Sequence, residues 1–185
     1  MASSLIAPGL LLAMPQLDDP NFERTVVLMI EHSEEGSFGL IVNRPTDLLV
    51  TEVLSSLGIE WAGDPAEIVG SGGPVMPRTG WVLHEPVDLV SDEGKVDVAP
   101  GIVLSTSPDR LRALADAPPT HLRFVLGFSG WGPSQLEAEF ASGSWLTAEV
   151  TSDLLFDTPP EGMWRAALHS LGIEPAALVP APGVH

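Results

Sequence analysis

The chain contains no cysteine among its 185 residues. Disulfides, thiolate zinc sites, iron–sulfur clusters and cysteine nucleophiles are therefore all excluded. A protein that uses none of these suits the reducing interior of the cell, so we expect a cytoplasmic location.

Basic residues are scarce. Eight Lys and Arg residues face 25 Asp and Glu residues, which gives a formal net charge of −17, and Lys95 is the only lysine. Nucleic-acid binding draws most of its affinity from Lys and Arg at phosphates, so a protein this acidic is repelled before contact. Direct nucleic-acid binding is therefore disfavoured, and the acidic surface favours solubility.

A long hydrophobic run is missing as well. The first 15 residues include an apolar stretch, but no Lys or Arg precedes it, and Pro8 and Pro15 interrupt it well short of a membrane span. We expect neither a signal peptide nor a membrane partner, and we interpret this stretch as the first strand.

The rest of the chain has an ordinary globular composition, and its length suits one domain. Short runs of β-branched and apolar residues predict further strands at 25–32, 39–43, 80–84, 101–105, 121–128 and 145–150. Apolar residues at helical spacing predict helices at 51–57, 108–115, 133–141 and 160–171. Ser107 is placed to cap the second helix, and Gly58 and Gly172 are placed to end the first and last helices.

The order of these elements indicates the fold class. Strands and helices mix without regular alternation, which favours an α+β fold with a mixed sheet. Residues 88–100 are acidic and irregular and predict a surface loop. We expect a single domain over residues 1–173, followed by an extended, proline-rich tail over 174–185.

The segment GFSGWGPSQLE at 127–137 predicts the end of a strand, a glycine-rich turn at 129–132 and a helix. Its first five residues partly match the G-x-S-x-G nucleophile elbow of α/β-hydrolases, and Asp153 or Asp157 and then His169 follow in the hydrolase order. However, Trp131 is a bulky side chain at a position where the elbow requires a small one. The segment therefore favours a packed strand-to-helix junction, and no catalytic residue is assigned.

No cofactor and no metal are predicted. Val75 occupies the third glycine position of the G-x-G-x-x-G pattern that Gly70 and Gly72 begin, and no P-loop is present. None of the five histidines pairs with another at helical spacing. Backbone N–H groups around Gly72 and Gly73 leave open a small anion-binding nest.

Several motifs follow one another in a distinctive order. They are GLLLAMP at 9–15, LDDPNF at 17–22 with Arg24, EH at 31–32 with Gly36, GLIVNRP at 39–45, GGPV at 72–75, VLH at 82–84, GFSGWGP at 127–133 with QLE at 135–137, WL at 145–146, FD at 156–157, Trp164 and LGI at 171–173. In this order the chain resembles the YqgE/AlgH family of bacterial proteins over essentially its whole length.

The resemblance implies an α+β fold around a curved or bifurcated mixed sheet flanked by short helices. It implies no particular reaction, because the family has none assigned, and some members are described as candidate transcriptional regulators. Phe128 stands where relatives often have tyrosine, Ser134 where they often have glycine, and Ser129 where alanine also occurs. A serine that alanine can replace is a poor nucleophile, which further weakens the hydrolase interpretation.

We therefore expect a cytosolic, non-enzymatic regulatory or binding protein that acts indirectly on a protein or small-molecule partner. One alternative is an enzyme of unknown reaction that uses His32 or His84 with Arg44 or Arg24 in a cleft built from loops. Another is a DNA-binding regulator, which the charge opposes. The candidate binding residues are Asn43, Arg44, Gly72, Gly73, His84, Ser129, Trp131 and Gln135.

Overall fold

A computed structural model describes residues 7–15, 17, 19–20 and 22–178. The strands are β1 (Gly9–Ala13), β2 (Val26–Ser33), β3 (Gly36–Ile41), β4 (Pro45–Leu49), β5 (Ile68–Ser71), β6 (Val75–His84), β7 (Lys95–Ala99), β8 (Ile102–Ser105), β9 (Leu122–Trp131) and β10 (Trp145–Ala148). The helices are α1 (Val50–Ser56), α2 (Pro108–Asp116), α3 (Gln135–Ala141) and α4 (Pro160–Ser170), with a π-helical turn at Asp153–Asp157 and a 3₁₀ turn at Pro175–Ala177.

The strands form one curled, largely antiparallel sheet. Its main path runs β10-β1-β2-β3-β9-β6-β8-β7, and β5 pairs with β4 and also lies parallel to β9. On one side of β9, therefore, β5 lies beside the middle of the strand and β3 beside its end. The predicted α+β class is confirmed, and the predicted strands at 25–32 and 39–43 correspond to β2 and β3, which pair antiparallel.

The predicted helix ends are also confirmed. The Ser107 side chain accepts a hydrogen bond from the Arg110 N–H at 3.2 Å, as an N-cap should. Gly58 and Gly172 follow α1 and α4 with φ angles of +73° and +75°, the left-handed conformation that glycine adopts without strain.

Two sequence predictions are wrong. Residues 129–131 do not turn, because β9 continues to Trp131 and pairs there with β3, and α3 begins only at Gln135. The small residues Ser129 and Gly130 suit close packing within a sheet as well as they suit a turn. The predicted loop at 88–100 contains β7, an edge strand with mostly exposed side chains that lacks the hydrophobic pattern of a buried strand.

The core is divided by the sheet, and β1 shows how. Alternate residues of a strand face opposite sides, so Leu10 and Leu12 pack into a cluster that α4 covers, whereas Leu11 and Ala13 pack into a second cluster with Trp131. Both faces of β1 are buried, which explains its uninterrupted apolar run. A third cluster lies beneath α1 and α2.

The sheet branches where the residues after β5 cross β9. The Gly72 N–H donates to the Leu126 carbonyl at 2.7 Å, and the Gly72 carbonyl accepts from the Ile41 N–H at 2.8 Å and from the Ser129 hydroxyl at 3.1 Å. A Cβ at Gly73 would overlap the backbone of Phe128, and its φ of +147° already disfavours other residues. We call the contact of Gly72 and Gly73 with β9 the glycine crossing.

The glycine crossing predicts a large destabilisation by Gly73→Ala. We expect the free energy of unfolding to fall by about 2–4 kcal/mol, because the new Cβ meets immobile backbone in an unfavourable conformation. Urea unfolding followed by circular dichroism measures it. Gly162→Ala, in α4 with no atom within 4 Å of its Cβ position, is the control and should be neutral or stabilising by up to about 1 kcal/mol. Equal stability of the two variants would contradict the prediction.

Candidate functional site

Three of the predicted binding residues, Gly72, Gly73 and Ser129, meet at the glycine crossing. Ser129 is fully buried and donates its hydroxyl proton to the Gly72 carbonyl. A serine in a continuous strand, with its hydroxyl committed to a backbone carbonyl, lacks the exposed geometry of a nucleophile elbow. The structure therefore gives Ser129 a role in holding the sheet together.

Trp131 and Gln135 meet at a residue that sequence reasoning missed, Glu139 on α3. Its Oε1 accepts from the indole N–H groups of Trp131 at 3.0 Å and Trp145 at 2.8 Å, and its Oε2 accepts from the Gln135 amide at 3.1 Å. A buried indole N–H needs an acceptor, and Glu139 lies one helical turn after Gln135. This spacing is the sequence signal that could have identified it.

Asn43 and Arg44 join the loop after β3 to the segment before β2. The Asn43 side chain accepts from the Val26 N–H at 2.8 Å and donates to the Arg24 carbonyl at 3.0 Å. The Arg44 guanidinium donates to the Glu23 carbonyl at 3.2 Å.

Arg44 also lines a cavity of about 330 Å³ that includes Arg123 and Glu67. Burial raises the pKa of the Glu67 carboxyl, and nearby Arg123 opposes this shift.

His84 belongs to a buried polar chain. Its Nδ1 lies 2.7 Å from the Glu85 carbonyl, which can only accept, so Nδ1 carries the proton. Its Nε2 therefore accepts from the Ser105 hydroxyl at 2.7 Å, and Ser105 accepts from Arg110 Nε at 2.8 Å. Burial lowers the pKa of His84 below its ordinary value of 6.5 and Arg110 adds to this, while the hydrogen bond to Glu85 opposes it. The sequence pattern of α2 gave no sign that Arg110 is buried, although the residue is only 2% exposed.

The predicted residues do not converge on one cleft. His84 pairs with Leu122 at the start of β9, and Trp131 ends that strand nine residues later, roughly 30 Å along an extended chain. None of the five cavities described is lined by more than one of the eight predicted residues. His84, Arg44 and Trp131 therefore belong to separate neighbourhoods.

Three other histidines contact carboxylates, and one of them, His121, lies near two, with its Nδ1 3.8 Å from Glu85. The His32 ring hydrogen-bonds Ser37 and lies 3.6 Å from Glu137. His121 Nε2 lies 3.0 Å from Asp157, and its ring stacks on Phe156. Among the described residues, no group of three or more His, Asp and Glu side chains could hold a metal ion. No helix in that part of the chain is long and apolar enough to cross a membrane.

The largest cavity described has a volume of about 600 Å³ and lies where α1 and α2 cover the sheet. We call it the α1–α2 cleft. Val53 and Leu54 line it from α1, Leu57 from just after α1, Leu111 from α2, and Phe124 from β9. Leu57 is 58% exposed, so this wall is open to solvent. The cleft is a concave apolar surface of the kind that holds small molecules.

The charged residues of the cleft are all of one sign. Twenty residues line it, and they include Arg78 and Arg112 but no Asp or Glu. Arg112 lies 3.7 Å from Asp109, one turn earlier on α2, and both side chains are mostly exposed. Thr106, Ser107 and Pro108, at the amino-terminal end of α2, also line the cleft.

The sequence offers little sign of this cleft. Its apolar residues come from segments that lie far apart in the chain, and at helical spacing they are indistinguishable from an ordinary core stripe. Only the exposure of Leu57 distinguishes the cleft lining from a core stripe, and exposure is a property of the folded chain.

Comparison with known proteins agrees with the resemblance seen in the motifs. A family model described as AlgH-like, DUF179, matches residues 10–176. A UPF0301 protein of Myxococcus xanthus is 47% identical, with 97% of this chain and 98% of the relative covered. One of Paracoccus denitrificans is 40% identical, with 98% and 97% covered.

Two solved structures share the fold. The solution structure of the AlgH protein from Pseudomonas aeruginosa matches with a TM-score of 0.75 and 37% identity, covering 96% of this chain and 94% of that one. A crystal structure of a protein from Corynebacterium diphtheriae matches with a TM-score of 0.70 over 95% and 88% of the two chains. Its 23% identity supports the fold alone.

The buried chain of His84 predicts a pH-dependent stability. A depressed folded-state pKa means that the unfolded state binds a proton first, so the stability due to neutral His84 is complete above pH 6.5 and declines below it. We expect His84→Gln to lower the free energy of unfolding by about 1–3 kcal/mol at pH 7.5, and this deficit to shrink at pH 5.5.

Urea unfolding at both pH values measures this difference. Glu67 contributes with the opposite sign, but equally in both proteins, so it cancels. His169→Gln, at a half-exposed position on α4, is the control and should change stability little at either pH. A deficit for His84→Gln that grows as the pH falls would contradict the prediction.

Proposed function

From the premise that this chain belongs to the AlgH-like family, DUF179, we propose that it is a non-enzymatic binding protein whose site is the α1–α2 cleft. We further propose that it works in the cytoplasm and that occupancy of the cleft regulates a partner indirectly. The α1–α2 cleft carries this proposal, because it is the largest concave apolar surface described.

The size and lining of the cleft suit a small molecule. Small-molecule sites usually measure about 300–1,000 Å³ and are lined mostly by apolar side chains with a few polar groups. The α1–α2 cleft, at about 600 Å³, lies within this range. Its polar side-chain groups are the two arginines, the hydroxyl groups of Ser56 and of residues 105–107, and the indole N–H of Trp81.

The chemistry of the lining supports binding rather than catalysis. None of its twenty residues is a histidine, aspartate or glutamate, the side chains that most often transfer protons in enzymes. The enzyme alternative relied on His84 or His32 with Arg44 or Arg24, and neither histidine lines this cleft.

The positions of the arginines on α2 support regulation without direct DNA contact. This helix is the only predicted helix with two arginines, but Arg110 is buried against Ser105. Arg112 faces Asp109. A recognition helix needs exposed basic or polar side chains that reach base edges and phosphates, and α2 presents a single arginine beside an acid.

We expect the neutral apolar dye Nile red to bind in the α1–α2 cleft, and Gly80→Phe to weaken this binding at least about tenfold. Gly80 lines the cleft, and the nearest atom to its Cβ position is Leu126 Cδ2 at 3.7 Å, so the backbone accepts a Cβ there and we expect the phenylalanine ring to occupy the cleft. Fluorescence titration measures the dissociation constant.

Gly130→Phe is the matched control. Gly130 is likewise an exposed strand glycine whose Cβ position meets no atom closer than 3.6 Å, but it lies outside the cleft. Both variants should unfold at nearly the wild-type urea concentration. Equal Nile red affinity in wild type and Gly80→Phe would refute the cleft as the binding site.

A further inference from the structure

We propose that the natural occupant of the α1–α2 cleft is a free amphipathic monoanion, with an apolar chain inside the cleft and a carboxylate at its mouth beside Arg78 and Arg112. This inference rests on the proposed function and adds the chemical class of the ligand. It follows from the sign of the charges around the cleft, which the apolar lining alone does not determine.

The charge at the cleft is the reverse of the charge of the protein. Acidic residues outnumber basic ones by about three to one over the whole chain, yet both charged residues of the lining are arginines. About one residue in seven is acidic, so a random set of twenty would contain two or three acids. The cleft is therefore a positive site on a negative molecule, and such a site favours an anion locally.

The two arginines come from different elements of the fold. Arg78 belongs to β6, two residues before Gly80, and Arg112 belongs to α2. Within the described residues Arg78 has no ion-pair partner, and Arg112 has only the exposed Asp109 at 3.7 Å. Exposed ion pairs of this kind contribute little, so a ligand carboxylate can compete with Asp109 for the guanidinium.

The amino-terminal end of α2 adds to the same field. Ser107 caps the helix, and Thr106, Ser107 and Pro108 line the cleft together with Arg112. The partial positive charge at a helix amino terminus favours anions, and here it acts in concert with two guanidinium groups. The ligand carboxylate is therefore placed at the mouth of the cleft. The apolar side chains of α1 then contact the ligand's apolar chain.

Three probes with one tail and different head groups test this inference: sodium octanoate, 1-octanol and octylammonium chloride. Each is titrated against the Nile red complex, and displacement gives its dissociation constant. We expect octanoate to bind about fivefold more tightly than octanol, and octylammonium to bind most weakly. The net charge of −17 alone would predict that octylammonium binds more tightly than octanoate. The ranking therefore shows whether the charges that line the cleft or the charge of the whole protein controls binding.

Arg78→Ala and Arg112→Ala should each weaken octanoate binding about threefold, and the double variant about tenfold, without changing the affinity for octanol more than about twofold. Raising the salt concentration should weaken octanoate binding and leave octanol binding unchanged. Arg165→Ala removes one positive charge from an exposed position outside the cleft and is the matched control. All four variants should keep the wild-type unfolding midpoint.

The outcomes distinguish the two proposals. If octanoate and octanol bind equally, and Gly80→Phe abolishes both, the cleft is a binding site but the anionic class is wrong. If no probe displaces Nile red, the amphipathic class is wrong, and the effect of Gly80→Phe on the dye still decides the proposed function. Cleft-dependent sedimentation with phosphatidylglycerol vesicles, or displacement of the dye only by an acidic amphipathic peptide, would assign the cleft to a membrane or a protein and overturn the inference.

Discussion

The carbonyl of Gly72 organises the centre of this protein. It accepts hydrogen bonds from the Ile41 N–H at the end of β3 and from the Ser129 hydroxyl on β9. The N–H of Gly72 donates to the Leu126 carbonyl. Backbone approaches backbone so closely there that no side chain fits at Gly72 or Gly73. Because this contact lets β9 pair with β5 and then with β3, it sets the branch of the sheet, and the core clusters on both faces depend on that branch.

The fold could be predicted well from local patterns. The strand and helix signals, the Ser107 cap and the glycine ends of α1 and α4 all correspond to features of the structure. The errors arose where a local pattern has two physical explanations. The small residues Ser129 and Gly130 suit a turn or a tightly packed strand, and only the pairing of β9 with β3 decides between them. The edge strand β7 is held by backbone bonds to β8, which leave little trace in its sequence.

The site was harder to predict, for a related reason. The motifs that stand out in this sequence, such as Asn43, His84 and Ser129, bond to backbone or to buried partners, so their distinctiveness has a structural cause. The α1–α2 cleft has no motif, because a cavity is a gap between apolar residues from distant segments. Glu139 and Arg110 were missed because a charged side chain in a helix suggests solvent, whereas these two contact the indole of Trp131 and the hydroxyl of Ser105.

An open sheet has two ends, and β7 occupies one of them. A free strand edge can recruit the same edge of a second molecule, which is a common route to aggregation. The only lysine of the chain, Lys95, begins β7 and lies 3.7 Å from Asp97 on the same strand. A strand added by a second copy would take both charges partly out of water, which carries a free-energy cost. The only lysine in the sequence thus stands on a strand edge, where its charge disfavours edge-to-edge pairing.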